Sequence, residues 1–182
     1  MGDRRWRPRD LAGLFVILIA GNLLHFIYDW SARNDIVAAF AAVNESTWEH
    51  MRLLAIPWVI WSLVEGIALH GARQPVWIAR ALGLLSGLIL IPTVYYTYTG
   101  VTGEGCMIVD VLLFQAAVLL AVWVSWRIQA KTVLSGAVWA VVGVLILLGI
   151  WVLAVWWTYD PPLLPLFIDP VSGMTGIPPL GT

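Results

Sequence analysis

Five long apolar stretches, separated by short polar connections, organise the chain. Each approaches the roughly 20 residues that an α-helix needs to cross a bilayer. They lie near Leu11–Trp30, Trp48–His70, Val76–Tyr98, Cys106–Arg127 and Leu134–Trp157. The first follows a basic start, but its apolar run exceeds a signal-peptide core. It ends in His25, Tyr28 and Asp29 without a small-residue cleavage site, so it reads as a retained helix. The pattern predicts an all-α integral membrane bundle of five transmembrane helices within residues 1–158, with a separate tail over 159–182.

Two interruptions change that picture. Between the first two stretches, Ile36–Val43 is apolar but too short to span, which predicts an interfacial helix rather than a re-entrant segment. The tail holds six of the ten prolines, and proline removes helix donors, so it is not a sixth span. Its LLPLFI run, Leu163–Ile168, is too apolar for a solvated end, and the expectation is a lid folded over the outer face. Within the spans, Pro57 and Pro92 are bend points, and Gly83 and Gly87 form a GxxxG pair suited to close packing inside the molecule.

Charge orients the bundle. With the N-terminus cytoplasmic, Arg4, Arg5, Arg7, Arg9, Arg73, Arg80, Arg127 and Lys131 fall inside. Only Arg33 falls in an outer loop, with Arg52 in the outer part of the second span, which is a strong positive-inside bias. Five crossings then put the Pro-rich C-terminus outside. The aromatic belts agree, with Trp6, Trp77, Trp123, Trp126 and Trp139 near the inner surface and Trp30, Trp48, Trp156, Trp157 and Tyr159 near the outer one. Composition fits a membrane protein: 60% hydrophobic and 12% charged, against about a quarter charged in soluble domains. A net charge of −1 argues against a nucleic-acid partner, and the single Cys106 excludes an internal disulfide framework.

The ionisable groups concentrate on the outer side. Asn22, His25 and Asp29 recur at i, i+3 and i+7, one face of the first helix, and a polar face is costly beside lipid. The block VNESTWEH, Val43–His50, adds Glu45, Glu49 and His50 at the start of the second helix. Part of it is capping: Ser46–Glu49 matches the S-x-x-E box and Asn44 is a competing cap, while Arg52 can neutralise Glu49. Capping leaves the second carboxylate and His50 unexplained. Asp110, one turn into the fourth helix, is expected to meet His25, His50 or Arg52. Of Tyr95, Tyr96 and Tyr98, Tyr96 is chosen as the residue facing this pocket. Near the inner surface, Glu65 is placed to pair with Arg73 or Arg127, and His70 to cap its helix.

VNESTWEHMRLLAIPW, the YTYTG block at Tyr96–Gly100, Asp110 and the tail PPLLPLFIDPVSGMTGI resemble a family of small bacterial and archaeal membrane proteins. That family is catalogued as a domain of unknown function. The resemblance implies a five-helix protein of a prokaryotic plasma membrane and supplies no reaction, ligand or catalytic residue.

Three functions are compatible with the sequence. The first is a membrane enzyme with an outward-facing pocket acting on a lipid or a small polar ligand. Its candidate catalytic residues are Glu45, Glu49 and His50, and its candidate ligand-binding residues are Asn44, Arg52 and Tyr96. A divalent metal would take His25, Asp29, Glu49, His50 and Asp110 as candidate ligands. The second is a transporter or channel, for which the inner half offers mainly Glu65. The third is a non-catalytic binding or assembly protein whose polar groups form a structural network.

Overall fold

In the computed structural model, residues 8–68, 75–130 and 134–179 are described. Arg4, Arg5, Trp6, Arg7, His70, Arg73 and Lys131 lie outside them. The described chain is all-helical: α1 (Pro8–Trp30), α2 (Asp35–Ala38), α3 (Thr47–Ala68), α4 (Val76–Thr102), α5 (Met107–Gln129) and α6 (Ala137–Tyr159). A single 3-10 turn, Pro165–Phe167, follows in the tail. Four of the helices, α1, α4, α5 and α6, are long and apolar enough to cross a membrane. α3 has the length but carries Glu49, His50, Arg52 and Glu65.

α3 is the central element, packed against α1, α4 and α6. Its Leu54 and Trp58 are fully buried and join Ile17, Leu84, Val118 and Ala121 in one core. The outer surfaces of the other helices stay apolar, with Phe15, Ile19, Ile89, Leu112 and Leu145 exposed. That distribution suits a hydrocarbon surround, in which helices satisfy their own backbone groups. α4 and α5 approach closely because Gly83 and Gly87 have no side chain. A Cβ on Gly83 would lie 2.6 Å from the Ala121 carbonyl, and one on Gly87 would lie 2.9 Å from that of Ala117. The GxxxG pair therefore serves packing within the molecule.

The end of the bundle that carries residues 31–46 is here the upper end. After α1 the chain reverses through Ala32 and Arg33, both at positive φ. The Asn34 side chain then caps α2 by accepting from the Ile36 and Val37 amides. The apolar run Ile36–Val43 is not an interfacial helix. Only Asp35–Ala38 is helical, Ile36 is exposed, and Ala38 and Ala41 are completely buried. The cause is a hydrogen-bonding demand from α3, set out below. In the tail, an isolated antiparallel bridge joins Ile168 to Thr175, and the Asp169 carboxylate caps the intervening turn through the Val171 and Ser172 amides.

At the opposite, lower end, Glu65 is buried and meets Arg80 of α4 and Arg9 of α1, the latter at 3.2 Å. Arg80 also lies over the Trp58 ring at 5.2 Å, while the Trp58 indole donates to the Arg80 carbonyl. Of the expected partners, Arg127 lies over Trp123 instead, and Arg73 lies outside the described residues.

Gly83→Leu should overpack the α4–α5 contact and destabilise the fold by about 1–3 kcal/mol. Gly149→Leu, whose Cβ meets nothing within 4 Å, should leave stability unchanged. Thermal unfolding of both variants in detergent checks this, and equal melting temperatures would contradict it.

Candidate functional site

The start of α3 decides which side chains are structural. Asn44 Oδ1 accepts from the Ser46 amide at 2.8 Å, and Ser46 Oγ accepts from the Glu49 amide at 3.3 Å. With the Ser46 amide already satisfied, Glu49 does not close the capping box. Its carboxylate instead accepts from the Val43 amide at 3.1 Å and pairs with Arg52. Arg52 also donates to the carbonyls of Ala38 at 2.8 Å and Ala41 at 3.3 Å. Both charged side chains are at most 2% exposed. The pair is thus a clamp that draws residues 38–43 onto α3, which explains why that run is not a free interfacial helix. Asn44 adds a second tether by donating to the Gly176 carbonyl at 2.8 Å. Beside it, Phe167 of the tail packs on Trp48 and Trp157, with ring centroids 5.0 and 5.4 Å away.

His50 follows Glu49 by one residue, about 100° around the helix, and faces elsewhere. Its Nδ1 donates to the Ser46 carbonyl at 3.0 Å, which fixes the tautomer and leaves Nε2 as the free lone pair. That Nε2 lies 3.7 Å from one Glu45 oxygen, and His25 Nε2 of α1 lies 3.6 Å from the other. One ligand atom from each of the three residues falls within 4.8 Å of the others. The nitrogen-to-oxygen separations exceed a normal hydrogen bond. They approach the ~3.3 Å edge of a tetrahedron built on metal–ligand bonds of about 2.0–2.1 Å. Two imidazoles, a carboxylate and a backbone carbonyl orienting one imidazole are a donor set suited to zinc or a similar divalent ion.

The trio lines a cavity of about 560 Å³ between α1, α3, α4, α5 and the tail. Asp110 of α5 lines the same cavity and accepts a hydrogen bond from Tyr98 of α4. The Tyr98 oxygen in turn accepts from the Cys106 amide at 3.1 Å, so the loop leading into α5 is tied to α4. Pro170 and Val171 of the tail complete the wall.

Residues 4–177 match the family of unknown function DUF6512. The chain belongs to that family. No curated protein matches it. No solved structure does either.

In this DUF6512 chain, the structure brings together only part of the sequence-derived set. His25, Glu45 and His50 converge, and Asp110 shares their cavity. Asp29 does not join them: it is exposed and pairs with Arg33 at 3.4 Å, because the positive-φ turn after α1 folds Arg33 back onto it. Glu49 and Arg52 satisfy one another in the clamp and line no part of the cavity. Asn44 is a cap and tail tether. Asp110 pairs with Tyr98 rather than with His25, His50 or Arg52. Tyr95, not Tyr96, lines the cavity. Sequence reasoning assigned Glu45 to catalysis and not to metal binding, and it passed over Tyr98. The cue for Tyr98 was available, since it sits close to the short turn that brings α5 back beside α4.

Arg52→Ala should leave Glu49 buried and unpaired and should cost about 3–5 kcal/mol. The double replacement Glu49→Leu/Arg52→Met should restore most of that loss. Melting temperatures of the single and double variants check the clamp; a double variant as unstable as the single one would contradict it.

Proposed function

We propose that this protein is a five-span membrane protein whose upper end holds a divalent metal on His25, Glu45 and His50. The metal would serve chemistry on a lipid or small polar ligand in the adjoining cavity. The observation that carries this reading is the approach of two imidazole nitrogens, from different helices, to the two oxygens of one carboxylate. Three protein ligands facing a cavity correspond to a metal with an open coordination position, the arrangement used to polarise an oxygen or activate water. Asp110, held by Tyr98, is the carboxyl group available to exchange protons with the occupant.

The fifth span is α3. Its 22 residues give about 33 Å of helix, enough for the hydrocarbon core. Its charges are matched inside the bundle, Glu49 by Arg52 and Glu65 by Arg9 and Arg80. The positive-inside bias supports a cytoplasmic N-terminus, which makes the cavity end extracytoplasmic. A transporter reading loses its one inner-half residue, because Glu65 is bound between two arginines. A purely structural network accounts for Glu49 and Arg52 but gives no role to the half-exposed Glu45 between two imidazoles.

Purified protein equilibrated with zinc and desalted should retain about one ion per chain. His25→Ala, Glu45→Ala and His50→Ala should each reduce retention to background while the fold melts as before; Asp29→Ala should retain the ion. Acidification should release it, since protons compete for the ligands. Elemental analysis reads all of these, and a wild-type chain that retains no divalent metal overturns the reading.

A further inference from the structure

The cavity is polar at one end and apolar along its length, and its walls indicate how an occupant arrives. Phe26 of α1 and Val111 of α5 line it, and each is about half exposed. A sideways entrance between α1 and α5 would be bounded by these two side chains. One turn deeper, the Gln115 amide of α5 donates to Asn22 Oδ1 of α1 at 3.3 Å, which ties the helices together. The surface around these residues is apolar, with Leu23 and Leu112 exposed. Leu53, Ile91 and Phe114 form the inner wall.

The polar end has an equally definite character. Two carboxylates, Glu45 and Asp110, two imidazoles and the Tyr95 phenol face the cavity, and among the described lining residues there is no lysine or arginine. The two arginines closest in sequence to these groups are committed: Arg33 to Asp29, and Arg52 to Glu49 and two carbonyls. Phosphate recognition ordinarily uses guanidinium or ammonium groups. Here an anionic head would meet two carboxylates instead. A metal on the trio would offset them without giving an excess of positive charge.

Resting on the metal reading for one anchor of the head group, we infer that the occupant is an amphiphile entering between α1 and α5. Its hydrocarbon chain lies against Phe26, Leu53, Val111 and Phe114. Its polar group is a hydrogen-bond donor without negative charge that keeps a lone pair for the metal, such as a hydroxyl, amide or neutral amine, placed between the His25–Glu45–His50 trio and Asp110. Phosphate-bearing lipids are selected against. A cavity of this volume falls within the range that buries a drug-sized ligand, enough for a head group and part of a chain.

The test is photocrosslinking of the full chain in nanodiscs. Three probes of equal chain length carry a diazirine on the chain and differ in head: an alkylamine, a monoacylglycerol and an alkyl phosphate. Peptide mapping should find the first two on residues 22–26 and 107–114 several-fold more than the third. Asp110→Asn should raise labelling by the phosphate probe and lower that by the amine. Val111→Trp, at a half-exposed position where the fold tolerates bulk, should suppress cavity labelling by all three while leaving the exposed Leu145 face of α6 labelled. Equal labelling of the cavity by the phosphate probe overturns the inference, as does cavity labelling no stronger than that of the α6 face. Zinc content is measured on the same samples. If zinc binds and the head-group order fails, the ligand inference falls alone; if the order holds without zinc, the metal reading falls alone.

Discussion

A charge placed within an apolar helical bundle must find its partner inside that bundle, and this constraint governs the molecule. α3 is the most central helix and carries three charges, a combination that is tolerable only because both of its internal carboxylates are answered. Glu49 meets Arg52 and the Val43 amide near the upper end, and Glu65 meets Arg80 and Arg9 near the lower end. Arg52 also satisfies two carbonyls of the preceding connection, so neutralising one charge fixes the path of residues 38–43. Replacing such pairs by apolar residues is often harmless, whereas breaking one is severe, so their role here is best described as specifying the arrangement rather than adding stability.

The same constraint separates structure from site. Glu49 and His50 are adjacent in sequence but diverge around the helix, one into the clamp and the other into the cavity. Once Glu49, Arg52 and Asn44 are assigned to holding the upper end together, the ionisable side chains left facing the cavity among the described residues are His25, Glu45, His50, Asp110 and the Tyr95 phenol. Asp110 has a phenolic donor, whereas Glu45, about half exposed, has the two imidazoles beside it, each beyond hydrogen-bond distance. An ion between them would be held by all three side chains. The tail bears on this geometry indirectly, since Phe167 and the Asn44 tether hold Pro170 and Val171 at the cavity wall.

Much of the architecture was legible because helix length and apolarity are local properties. The long runs became the long helices with shifts of a few residues at their ends, and the Ser46 cap was readable from its spacing. The pairing of charges was not legible, because it depends on tertiary neighbours. Arg80 reads as an interfacial arginine, but in the fold it is buried against Glu65 and Trp58. Asp29 shares a helical face with His25 on paper, but α1 ends one residue later and the turn hands Asp29 to Arg33. The choice among three neighbouring tyrosines turned on the rotation of α4, which sequence alone does not fix. His25 and His50 stand out because a polar residue in an apolar helix needs a partner, and the two rings lie 5.6 Å apart across a helix interface.

The central claim is that His25, Glu45 and His50 form one coordination shell. X-ray absorption at the zinc edge of the loaded protein tests it most directly. The account predicts a four-coordinate N/O shell at about 2.0–2.1 Å with multiple scattering from two imidazoles and no sulfur. A six-oxygen shell, or one without imidazole scattering, would contradict it.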